Sequence, residues 1–211
     1  MPTRYKNSEA FLERALKFIP LGSQTFSKSK TTLPFGISPY FVDKGMGSKI
    51  WDIDGNEYID FVSALCSITL GYQDKDVDSS VIAQMKNGVT FSLPHKLELE
   101  VAELIVDMVP SAEMVRFAKN GTDATSGAIR VARAYTGRDK VAVCGYHGWQ
   151  DWYIGSTTRD LGIPHSVKEL TYKFEYNNVD SLKTILEKNP SEFSAVILEP
   201  MNLEYPRNNF L

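Results

Sequence analysis

Three places in this sequence set polar or aromatic side chains directly behind an apolar run, where an α/β fold presents its ligands. The first is Lys119-Asn120-Gly121-Thr122-Asp123-Ala124. An apolar stretch ends at Ala118, a glycine turn follows, and a helical pattern starts near Thr122. The unpaired N–H groups and the dipole of a helix start favour an anion. Gly121 lets backbone come close to such a ligand, and the Thr122 hydroxyl adds a donor. The same residues also describe a plain capped turn with Thr122 as N-cap. The second place is Gly145-Tyr146-His147-Gly148. Tyr146 offers a flat face to a planar ligand, His147 a group that can position or exchange a proton, and the glycines close approach. A tight turn with a half-buried tyrosine and a hydrogen-bonded histidine is the competing reading. The third is Glu199-Pro200 at the end of an apolar run, which alone also fits a solvated turn.

Other chemistries are missing their signatures. There is no Walker A, H-E-x-x-H, G-x-S-x-G or G-x-G-x-x-G pattern. His95, His147 and His165 lack metal-ligand spacing, so no metal site is expected. Cys66 and Cys144 are too few for a disulfide framework and fit a reducing, cytoplasmic setting. A net charge of −3 leaves no footprint for nucleic acid, and no apolar run is long enough to span a membrane. Nor does an apolar h-region follow the N-terminus, so no signal peptide is expected. Trp149 and Trp152 beside His147 read either as packed aromatics or as exposed aromatics suited to a subunit interface.

The elements that would position these residues change in texture along the chain. At 211 residues it is one large domain or two small ones. Ser8 should cap a first helix carrying Phe11, Ala15, Leu16 and Phe18, ended by Pro20-Leu21-Gly22. Residues 23–39 read as a polar loop or lid. Residues 40–62 read as a small antiparallel sheet turning at Gly45-Met46-Gly47 and Asp54-Gly55-Asn56. From Gly71, helical patterns at 77–85, 97–108, 122–135 and 179–186 alternate with apolar strands at 114–118, 140–144 and 194–198, which implies βαβ units on a mostly parallel sheet. Residues 1–70 and 71–211 are accordingly expected to be separate parts.

Together, Asn120-Gly121-Thr122-Asp123-Ala124 with the helix behind it, Gly145-Tyr146-His147-Gly148, Gly162-Ile163-Pro164 and Val196-Ile197-Leu198-Glu199-Pro200 resemble the class III pyridoxal-phosphate-dependent aminotransferases. The branch most similar is that of glutamate-1-semialdehyde 2,1-aminomutase-like aminotransferases. Trp51-Asp52-Ile53-Asp54-Gly55-Asn56 is similar to that family's N-terminal hairpin. The resemblance covers the whole chain but only the N-terminal half of the family's pattern. The family usually has Ser-Gly-Thr-Glu-Ala where this chain has Asn120 to Ala124. Residues 24–28 and 149–152 are more similar to aminotransferases of sugar or surface-polysaccharide pathways than to the tetrapyrrole enzyme.

The resemblance implies an α/β fold of the fold type I class, with an N-terminal helix and small antiparallel sheet leading into an incomplete large domain. It implies pyridoxal 5′-phosphate as cofactor, held by Gly121 and Thr122 at the phosphate, Tyr146 on the ring, His147 beside it and Glu199 nearby. It places Ser23 toward the substrate, and implies a homodimer acting on a small-molecule amino donor and a carbonyl acceptor. The family's Schiff-base lysine and the aspartate pairing with the ring nitrogen are expected beyond Leu211, so the catalytic residues are not assigned within this chain. Alone it is expected to be inactive. A non-catalytic scaffold that keeps part of the fold is the alternative.

Overall fold

The computed structural model describes residues 4–201, 203–207 and 210–211. The chain forms two compact units, Met1–His95 and Lys96–Leu211.

The first unit starts with α1 (Lys6–Ala15) and short 3-10 turns at Pro20–Gly22 and Phe26–Lys28. An antiparallel sheet β1-β2-β3 follows, from Val42–Met46, Lys49–Asp52 and Glu57–Ile59. Then come α2 (Ser63–Cys66), all four of whose residues are left-handed, and α3 (Lys75–Met85). Ser8 does not cap α1. It lies inside the helix and is buried, while Tyr5 is the cap residue. The cap comes from far along the chain, because the Asp54 carboxylate accepts from the amides of Asn7 (2.7 Å) and Ser8 (2.9 Å). A charged acceptor on the hairpin turn satisfies helix-start N–H groups better than a local hydroxyl.

Asp52 organises that hairpin. It is almost fully buried and accepts from Asn56 Nδ2 (2.8 Å), Tyr58 Oη (2.7 Å) and the amides of Asp54 and Asn56. Burial works to raise its pKa, but the hydrogen bonds from Asn56, Tyr58 and the two amides outweigh it, and the net shift is downward.

The second unit contains α4 (Lys96–Met108), α5 (Gly121–Thr136), α6 (Asp151–Ile154), α7 (His165–Lys168) and α8 (Val179–Lys188). Its strands are β4 (Lys140–Cys144), β5 (Thr171–Lys173) and β6 (Phe193–Leu198), in a parallel sheet of order β5-β4-β6. Because side chains alternate along a strand, β4 feeds both faces. Val141 and Val143 pack with Ile129, Trp152 and Tyr153. Ala142 and Cys144 pack with Phe174, Phe193 and the apolar side of α8. Burial on two faces is why β4 reads as an unbroken apolar run.

Residues 114–118 are not a strand. Their apolar pattern suits one, but among the described residues no strand pairs with them, and Met114 is 93% exposed. A ladder needs a partner as much as a pattern. The short elements β5, α6 and α7 escape the sequence reading because three or four residues carry too little periodicity. Trp152 is core rather than an exposed interface aromatic, at 8% exposure, whereas Trp149 is exposed. No helix among the described residues is long and apolar enough to cross a membrane.

The lowered pKa of Asp52 sets a direction with pH. Its stabilising effect is complete above the unfolded carboxylate value of about 4 and drains away as pH falls through the lower folded value. Urea unfolding should therefore show a midpoint that is steady from neutral pH to about 5 and declines below about 4. Asp52→Asn should lower stability at pH 7 by about 1–3 kcal/mol and flatten part of that acid decline.

Candidate functional site

Two turns of the second unit meet beyond the carboxyl end of β4. One is the start of α5. Asn120 is its N-cap residue, and the Asp123 carboxylate accepts from the Asn120 amide (3.1 Å). The amides of Asp123 and Ala124 are bonded to the Asn120 carbonyl (3.1 Å each). Among the described residues, nothing bonds the amides of Gly121 and Thr122. Around Gly121 there is open space, since a Cβ built there would meet no protein atom within 4 Å.

The other turn is Gly145 to Gly148, which carries the chain from β4 back onto α5. Gly148 has φ 115°, and a Cβ there would drive into the Thr122 side chain and lie 3.0 Å from its Cα. Two hydrogen bonds lock the contact. The Trp149 amide donates to Thr122 Oγ1 (3.2 Å), and Thr125 Oγ1 donates to the His147 carbonyl (2.8 Å). Thr122 is buried, and its Oγ1 is the acceptor in the first of these bonds.

Tyr146 stands out from this turn at 64% exposure. Its ring is braced edge-on by Tyr153 (centroids 5.7 Å apart, 87° between planes), and Tyr153 Oη donates to the Gly145 carbonyl (2.8 Å). His147 points inward and is buried. Its Nε2 lies 2.8 Å from the Cys144 carbonyl. A carbonyl only accepts, so that nitrogen carries a proton and His147 acts first as an internal strut of the turn.

Glu199 follows directly on β6, and its amide donates to the Cys144 carbonyl (3.1 Å). Its carboxylate lies against Gly145, where a Cβ would be 2.5 Å from Oε2. Burial first, and then the charge of Glu199, push up both the Cys144 thiol and the Tyr153 phenol.

The structure thus gathers five of the six sequence-derived candidates, Gly121, Thr122, Tyr146, His147 and Glu199, around one sheet end. Ser23 belongs to the first unit, where its Oγ accepts from the Thr25 amide (3.3 Å). Sequence reasoning missed Asp123, Ser126 and Gln150, whose side chains bond one another at the base of the two turns. Two cavities of about 310 Å³ lie elsewhere, one lined by Arg138, Asn189 and Ser194, the other by Leu12, Phe35 and Tyr40.

The two glycines at this contact predict opposite outcomes. Gly148→Ala should cost about 1–3 kcal/mol in urea unfolding through overpacking against Thr122. Gly121→Ala should leave stability unchanged or raise it by up to about 1 kcal/mol, because only the helix backbone feels it.

Residues 34–205 match the aminotransferase class-III family. The chain is 40% identical over 195 residues to the 3-aminobutyryl-CoA aminotransferase of Cloacimonas acidaminovorans (strain Evry), covering 92% of this chain and 46% of that protein. It is 35% identical over 221 residues to the glutamate-1-semialdehyde 2,1-aminomutase of Francisella philomiragia subsp. philomiragia, covering 97% and 51%. Among solved structures, the FumI protein of Sphingopyxis sp. MTA144 in its PLP internal aldimine form superposes with a TM-score of 0.83 at 33% identity, covering 90% of this chain and 45% of that one. The chain spans about half the length of the curated relatives it matches. The parallel sheet with its flanking helices is that of the fold type I transaminases, and with a match running through the hairpin, both turns and Glu199, the chain belongs to the class-III aminotransferase family.

Proposed function

We propose that this chain builds the phosphate- and ring-binding part of an enzyme that uses pyridoxal 5′-phosphate to move an amino group from a small-molecule donor to a carbonyl acceptor, by transamination or by internal transfer. The observation that carries this reading is the open cradle at Gly121, bordered by unbonded amides, on the same sheet end as the exposed and braced ring of Tyr146. These residues fit the cofactor's chemistry, with donors for a phosphate and an aromatic face for a pyridine. When bound, the cofactor supplies the carbonyl and the electron sink that amino transfer requires.

The chain's own residues then have distinct tasks. The amides of Gly121 and Thr122 and the Thr122 hydroxyl hold the phosphate, helped by the α5 dipole. Tyr146 covers one face of the ring and keeps water from it. His147 holds its turn by donating to the Cys144 carbonyl, and Glu199 backs Gly145 from β6. The lysine that anchors the cofactor covalently, and the acid that pairs with its ring nitrogen, are to be sought outside residues 1–211. The exposed apolar side chains of α3 (Val81, Ile82, Met85) and of α4 (Leu104, Met108) support assembly as a homodimer. The two free cysteines fit the cytoplasm.

Titration of the 211-residue chain tests this reading. Pyridoxal 5′-phosphate should bind at least about tenfold more tightly than pyridoxal, since each hydrogen bond to the charged phosphate contributes about 1.5–3 kcal/mol. Gly121→Ala should remove most of that difference. Tyr146→Ala should weaken both ligands and Tyr146→Phe neither, because the ring face does the stacking. Equal affinity for the two ligands would sink the assignment. Borohydride reduction of the complex should label no single lysine stoichiometrically, and one such label would place the anchoring lysine within this chain.

A further inference from the structure

The phosphate turn and the ring platform come from segments more than twenty residues apart, and their spacing decides whether one cofactor can reach both. We infer that Gln150 is a positioning residue that sets this spacing, an inference that rests on the function proposed above. Gln150 has one side-chain amide and uses both its ends on the first two turns of α5. Its Nε2 donates to Asp123 Oδ1 (3.1 Å), and its Oε1 accepts from Ser126 Oγ (2.5 Å). Its backbone carbonyl also accepts from the amides of Tyr153 and Ile154, so it starts α6 as well.

Each partner passes the constraint on. Asp123 uses its second oxygen on the Asn120 amide, so a pull from Gln150 reaches the peptide unit that opens the Gly121 cradle. Ser126 Oγ accepts from Trp152 Nε1 (2.9 Å) and faces the Thr122 carbonyl (2.8 Å). Its single proton is therefore shared between that carbonyl and Gln150, and the hydroxyl ties the aromatic core to the cradle. Trp149, between the platform and Gln150, is bonded through its amide to Thr122. The side chain at position 150 must donate to a carboxylate and accept from a hydroxyl at once, which an amide does and a carboxylate or a hydrocarbon does not. None of these groups has to touch the cofactor. They hold the two surfaces that do.

The test uses the 211-residue chain with two probes, inorganic phosphate, which meets only the cradle, and pyridoxal 5′-phosphate, which must span cradle and platform. Gln150→Glu sets a second carboxylate against Asp123. It should weaken pyridoxal 5′-phosphate at least about tenfold and alter its induced circular dichroism, while phosphate affinity changes less than about threefold. Adding Asp123→Asn restores one donor facing one acceptor, and the Asp123→Asn/Gln150→Glu double variant should recover the affinity and dichroism lost in the single variant. Gln150→Leu should repeat the single-variant loss without the charge repulsion.

A Gln150→Glu chain that binds pyridoxal 5′-phosphate like the parent would overturn the positioning role while leaving the proposed function standing. So would a double variant without recovery, or affinities for both probes falling in step with the thermal midpoint. Failure of the parent chain to bind either probe would overturn both.

Discussion

Gly148 sits against Thr122 with no room for a Cβ between them, and this approach fixes how the chain leaving β4 returns onto the start of α5. A larger residue would part the two turns and strain a backbone at φ 115°. Once the turns are in contact, the Trp149 amide finds the Thr122 hydroxyl and Thr125 finds the His147 carbonyl. Tyr146 faces outward, while the next residue, His147, is turned into the interior.

Behind the turns stands β4, with Val141 and Val143 buried on one face and Ala142 and Cys144 on the other. A central strand held from both sides is a firm base for loops that must keep their geometry. The polar network at the base of the two turns works differently. It is directional, and a partial loss leaves half-buried groups without partners, at a cost in stability. Packing settles where the turns are, and the hydrogen bonds settle how they are aimed.

Much of this was legible in the residues. The helix expected over 122–135 is α5, closed by Gly137, and the strand expected over 140–144 is β4. Strong periodicity and an apolar run buried on two faces make such elements readable. The open start of α5 was legible because a glycine and a helix start coincide there, although the strand expected before them did not form. Three things were not. Residues 114–118 have a strand's composition without a strand beside them, and pairing is not written in a single segment. Trp152 stands three residues after the exposed Trp149 yet points into the core, a choice made by tertiary packing. Gln150, Ser126 and Asp123 are ordinary polar residues with no diagnostic spacing, and only the fold brings them together.

The bonds from the first turn of α1 to Asp54 tie the stability of that helix to a distant part of the first unit. A ten-residue helix is marginal by itself in water, and this one has no side-chain cap of its own. Its acceptor arrives only when Asp54 has been brought into place, and Asp54 is placed by the closed hairpin, through the bond from its amide to Asp52. The helix that comes first in the chain therefore gains its full support from a turn synthesised some forty-five residues later. The first helix of the chain and the hairpin turn are thereby coupled, and loosening the turn withdraws support from the helix start.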